Sequence, residues 1–255
     1  MNFFFFITST RLSSSLEIPR FQNSGYWDET QVLFSAEIHD GCWLIKRVHC
    51  KYDENFYFVS SEGPDDARIF FLARSSDVGA DELNLSKLQS YGDFSSTVPD
   101  FRSNVAIQNI QGGFSSYQAE YPFKMCTRRG SLISSVSVLL DPAQRANSIF
   151  VRNIYHEPKV EEHSGFLVSK KEKKVIREIT LLSNRASVVE LRPEEIKDDV
   201  YFVVPEFLGI PVYVCEGADG SLSMEHTHPP HSNVFGDKQF QLVAKVKNEL
   251  IDIAG

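Results

Sequence analysis

The feature that most limits how this chain can fold is its recurrence of short apolar runs broken by polar or Gly/Pro-containing stretches. Runs at 31–38, 42–48, 55–60 and 68–73 are followed by 131–140, 148–155, 165–169 and 174–181, and then by 186–191, 200–205, 210–215 and 221–227. Most begin about 8 to 12 residues apart, the spacing of a sandwich or barrel. The breaks are too short for parallel crossovers, so antiparallel pairing is expected. Period two fits better than period 3.6 where the runs are longest. Leu132, Ser134, Val136, Val138 and Leu140 share one parity, as do Val175, Arg177, Ile179 and Leu181. Phe3 to Thr8 reads as a first strand.

Helical signals are few. Asp77 to Gly92 is read as a short helix carrying Leu83, Leu85 and Leu88. The stretch 192–199, RPEEIKDD, suits one helical turn with a proline near its start. The C-terminal stretch 235–255 fits a helix by the spacing of Phe240, Val243, Val246 and Leu250. It fits a strand by the alternation of Phe240, Leu242 and Ala244. The expected fold is all-β and mainly antiparallel, a β-sandwich or jelly-roll-like architecture with one or two short helices.

A chain of 255 residues allows one large β domain or two smaller ones. Patterning weakens between Arg74 and Gly113. One division is therefore an N-terminal β-rich region, 1–104, with a loop-rich segment near 74–104, and a larger C-terminal region, 105–255. A single continuous domain is the other.

Composition narrows the function classes. The 20 Phe and 9 Tyr favour pleated, half-buried surfaces. The formal net charge of −8 repels phosphate backbones, so nucleic acid is a poor partner. The basic cluster Lys170, Lys171, Lys173 and Lys174 reads as a solvated hairpin tip. No stretch approaches the ~20 apolar residues of a membrane span, and Phe3–Ile7 is too short for a signal core. Cys42, Cys50, Cys126 and Cys215 form no CxxC pair and are expected to be reduced, which suits a cytoplasmic location. No nucleotide-cofactor fingerprint occurs. Adjacent acidic pairs such as Glu161-Glu162 and Glu194-Glu195 read as loop charge.

One stretch carries chemistry: SLSMEHTHPPH, residues 221–231. Gly217-Ala218-Asp219-Gly220 is turn chemistry, so 210–227 is expected to be a β-hairpin. With Ala218 and Asp219 as the loop, Cys215 faces Leu222, Tyr213 faces Met224 and Pro211 faces His226. Leu222, Met224, His226 and His228 then point one way with Tyr213 and Cys215. Ser221, Ser223, Glu225 and Thr227 point to solvent. His226 and His228 sit ~6.6 Å apart on one face, close enough for two imidazoles to meet one divalent ion such as Zn, Mn or Fe. His231, beyond Pro229 and Pro230, is a conditional third ligand. His156, His163 and Asp237 are unranked candidates for a fourth.

His226-Thr227-His228-Pro229 resembles the H-[ST]-H-P element of JAB/MPN-type metalloproteases. Ser232 and Asp237 depart from that family's spacing, and too little chain follows. Gly220 with His226 and His228 resembles the first half of the cupin motif. The glutamate that should follow is replaced at Ser232 and Asn233, and no second motif has room.

Two functions follow from these residues. One is a divalent-metal protein acting on a small molecule or carbohydrate through His226, His228 and His231. The other is a non-catalytic module binding a carbohydrate, peptide or protein through loops and aromatics. In that case His226 and His228 are core-rim histidines that hydrogen-bond backbone carbonyls.

Overall fold

The computed structural model describes residues 1–20, 31–91, 102–128, 130–226 and 237–255. Its strands are, in the first half, β1 (Asn2–Phe5), β2 (Leu12–Pro19), β3 (Gln31–His39), β4 (Cys42–Arg47), β5 (Lys51–Tyr52), β6 (Phe56–Ser60), β7 (Ile69–Arg74), β8 (Glu82–Leu85), β9 (Ser103–Asn109), β10 (Phe114–Ala119) and β11 (Tyr121–Pro122). The second half adds β12 (Leu132–Ser135), β13 (Ala146–Arg152), β14 (Glu162–Ser169), β15 (Lys174–Leu182), β16 (Ala186–Leu191), β17 (Val200–Val204), β18 (Ile210–Glu216) and β19 (Leu222–His226). Short helices α1 (Ser75–Val78) and α2 (Phe123–Cys126) precede the C-terminal helix α3 (Asp237–Ala254). The fold is all-β and antiparallel.

Four sheets make two sandwiches. The first pairs a six-stranded sheet, β11-β1-β7-β3-β4-β8, with a five-stranded one, β10-β9-β2-β6-β5. Its core gathers Phe3, Phe34, Ile69 and Phe71 from one sheet and Leu16, Ile18, Val105 and Ile107 from the other. The second pairs β12-β17-β14-β15 with β16-β13-β18-β19. Leu167, Leu181, Phe202 and Val204 meet Ile149, Val151, Val189 and Tyr213 between them.

The two central strands of the β16-β13-β18-β19 sheet, β13 and β18, are buried on both faces. The sheet's other face contributes Phe150, Val212, Val214 and Met224 to the first core. Alternation along β13 and β18 therefore feeds two cores at once, and these strands read as near-continuous apolar runs rather than half-polar ones.

Helix α3 closes the outer face of the β12-β17-β14-β15 sheet. Leu250 and Ala254, with Val246, Ile251 and Ile253, pack on Val168, Val203, Phe166 and Tyr201. The helical spacing at the C-terminus thus prevails. Val243 stays 37% exposed, outside the packed stripe.

Some local expectations are corrected. The described part of the expected helix, 77–91, is not one helix. Helix α1 is a single turn ended by Gly79 at φ +76°, and Leu83 and Leu85 alternate along β8 against β4. Strand β12 stops at Ser135, so Val138 loses its core parity and is 74% exposed. Val175 is also partly exposed, at the start of edge strand β15. Strands β2, β9 and β10 lie outside the predicted runs. Lys170–Lys173 form the β14–β15 hairpin tip as expected.

Candidate binding cleft

The histidine hairpin forms, with one correction to its register. Val212 faces His226, Val214 faces Met224 and Glu216 faces Leu222. The loop has three residues, not two. Gly220 N–H donates to the Gly217 carbonyl and Gly220 adopts φ +85°, a turn followed by a left-handed residue. The extra residue shifts every cross-strand pair by one. Tyr213 and Cys215 therefore share a face with Glu225 and Ser223, not with the histidines. The burial parity along β19 is as expected: Met224 is buried and Leu222 and His226 half-buried, while Ser223 and Glu225 are exposed.

His226 lies at the seam where β19 runs beside β10. Its Nε2 is 3.2 Å from the Gln118 carbonyl oxygen, and its ring packs 4.5 Å from the Tyr117 ring. A carbonyl only accepts, so Nε2 carries the proton. A metal on the neutral ring would have to use Nδ1. His228 and His231 lie outside the described residues. Among the described residues no three His, Cys, Asp or Glu side chains are grouped to hold a metal ion.

His156 and His163 meet elsewhere. They line a cleft of about 260 Å³ at one end of the second sandwich, with Cys126, Thr127, Arg128, Tyr155, Glu157, Lys159, Glu161, Ser183 and Glu206. Four pieces of chain build it: the segment after α2, the β13–β14 connection, the β15–β16 turn and the β17–β18 loop. Loops at a sandwich end are where such folds place recognition.

The connection 153–161 has no regular structure, and side chains hold it instead. Asn184 accepts from Tyr155 N–H at 2.6 Å and donates through Nδ2 to the Glu157 and Lys159 carbonyls, both at 2.8 Å. Its own N–H donates to Asn153 Oδ1 at 3.1 Å. Ser183 Oγ donates to the Lys159 carbonyl and accepts from Glu161 N–H. Asn153 Nδ2 and the Tyr121 hydroxyl both donate to the Leu208 carbonyl. Asn153 and Asn184 are buried. Each bond contributes about 0.5–1.5 kcal/mol net, and a buried network fixes one conformation.

His156 is pinned. Its backbone N–H and its Nδ1 both meet the Cys126 carbonyl, at 3.1 and 3.0 Å. Its own carbonyl accepts from the Trp43 indole at 2.9 Å and from Leu88 N–H at 2.8 Å. His163 is held by rings instead. It stands edge-on to buried Phe207, with centroids 5.1 Å apart, and 6.3 Å from Tyr155. Its Nε2 is buried with no hydrogen-bond partner among the described residues. Such a group is expensive unless something supplies a partner.

Two backbone positions are unusual, one on the cleft wall at Glu206 and one at Asn184, next to the lining residue Ser183. Asn184 and Glu206 adopt φ of 55° and 53°. Asparagine tolerates the left-handed region; glutamate gains nothing from it. The other two such non-glycine residues, Asp40 and Lys173, sit at hairpin tips. The Glu206 carbonyl accepts from the Tyr155 hydroxyl at 3.3 Å, which ties the strained turn to the loop.

The charges divide into paired and unpaired. Glu157 meets Lys87 at 3.3 Å and Lys159 at 3.6 Å. The Lys87 hydrogen bond, then the Lys159 charge, hold its carboxyl below the ordinary range. Arg128, Glu161 and Glu206 have no ion-pair partner among the described residues.

The sequence places Tyr, two His, three Glu and one Lys between 155 and 163. That density was the available signal for this site. The network that gathers it depends on Asn153 and Asn184, which are 31 residues apart. Comparison with protein-family models, curated proteins and solved structures returns no match.

Proposed function

We propose that this protein is a non-catalytic binding module that takes a small polar ligand in the cleft at the end of its second sandwich. One observation carries the proposal. The cleft is built in advance at a cost, with a left-handed glutamate on its wall and the buried, unpartnered Nε2 of His163 beside it. Strained backbone and unsatisfied polar atoms persist where a function over-determines them. The volume suits a ligand below drug size. The position of His226 supports its role as a core-rim histidine. The free cysteines fit a reducing, cytoplasmic setting.

A thermal-shift screen of small polar molecules tests this on wild type and on His163→Phe. The variant keeps an aromatic ring against Phe207 and removes Nε2. Ligands that raise the wild-type Tm and leave the variant unmoved are expected. Hits indifferent to His163→Phe would reject the cleft. Stoichiometric uptake of zinc, manganese or iron that is lost in His226→Ala would instead favour metal chemistry at His226, His228 and His231.

A further inference from the structure

We infer that the ligand is a free α-amino acid, or a zwitterion of that size, with basic members preferred over acidic ones. This rests on the cleft being the binding site. The charges left unpaired select the class. Arg128 offers a planar guanidinium, which matches a carboxylate in bidentate fashion. Glu161 and Glu206 enter from different loops and offer two carboxylates to an ammonium group. The Tyr155 and His163 rings, backed by Phe207, form an aromatic wall on which a cation or an aliphatic side chain can lie.

A neutral sugar uses none of these charges as a counter-ion. Seating one would strip water from three charges and return only neutral hydrogen bonds. An acidic ligand meets two carboxylates against one arginine. A zwitterion pairs both signs. A basic side chain further offsets the one carboxylate in excess. The remaining lysine, Lys159, is already shared with Glu157 and does not alter this balance.

Isothermal titration of the full chain decides the class. The probes are L-lysine, L-arginine, L-alanine, L-glutamate and a panel of neutral monosaccharides. Lysine and arginine are expected to bind saturably, at least about tenfold more tightly than glutamate, and more weakly as salt rises. Arg128→Ala and Glu206→Gln, both exposed positions, are each expected to lower lysine affinity about tenfold or more with Tm unchanged. The assignment is overturned if no amino acid binds, or if Arg128→Ala leaves lysine affinity intact. A monosaccharide that binds wild type, ignores salt and is lost in His163→Phe overturns it too, while leaving the cleft as the binding site.

Discussion

At the scale of single residues, Glu206 and Asp66 show two different uses of a carboxylate. Glu206 sits in a backbone region that costs an L-residue about 1–2 kcal/mol. Glycine removes that strain but loses more entropy on folding, about 0.4–1 kcal/mol. Glu206→Gly should therefore leave Tm unchanged or slightly raised while ligand affinity falls, a combination that thermal melts and titration together would reveal. Asp66 is structural. Its carboxylate accepts from Arg68 Nε at 3.0 Å and from a terminal guanidinium nitrogen at 2.6 Å, and also from Glu62 N–H. Burial alone would raise its pKa, but the Arg68 hydrogen bonds and charge outweigh it and hold the group below its ordinary value. A depressed folded pKa adds stability above the unfolded value of about 3.9, and that stability disappears as pH falls through the folded pKa. Asp66→Asn should cost about 1.5–3 kcal/mol at neutral pH. Its loss of stability below about pH 4 should be shallower than that of wild type in urea melts across pH.

Among elements, the hairpins and loops separate what could be read in advance from what could not. Strands β3, β4, β6, β7 and β13 to β18 announce themselves as apolar runs. Strand β2, with Ser13, Ser14 and Ser15 in its first half, does not. Its buried Ser14 is satisfied by the Ile7 N–H and by the Ala106 carbonyl, 92 residues away, which no local pattern shows. The β18–β19 register slipped by one because GADG fits a two-residue loop as well as the three-residue loop it forms. The parity of Leu222, Met224 and His226 survived, since parity does not depend on register. The cleft loop was legible only as a dense polar stretch, because its conformation rests on Asn184, far along the chain. Asn184→Ala should cost about 1–3 kcal/mol, from buried acceptors left unsatisfied. It should also speed amide exchange at Tyr155 and Glu161 more than in β13, as hydrogen exchange by mass spectrometry can measure.

For the whole molecule, the β16-β13-β18-β19 sheet is the joint. It shares one core with each sandwich, and hydrogen bonds and an ion pair cross between them. Arg152 donates to the Ala67 carbonyl at 2.8 Å, Asn109 Nδ2 to the Gly220 carbonyl at 2.9 Å, and Arg11 meets Glu216 at 3.1 Å. At the β10–β19 seam the backbones come so close that a Cβ on Gly113 would run into the Gly220 carbonyl oxygen. Gly113→Ala should therefore destabilise by about 1–3 kcal/mol, an overpacking cost. Because both cores share a sheet, calorimetry of wild type should show one unfolding transition; two resolved transitions would mean the sandwiches are energetically separate.

The cleft itself is best tested by chemical-shift mapping of the isotope-labelled full chain titrated with L-lysine. The expected result is saturable shifts concentrated at 155–163, Ser183, Glu206 and Arg128, all absent in His163→Phe. Saturable shifts centred on 222–226 instead would contradict the assignment of this cleft as the binding site, and a titration that moves no cleft resonance would contradict the amino-acid assignment.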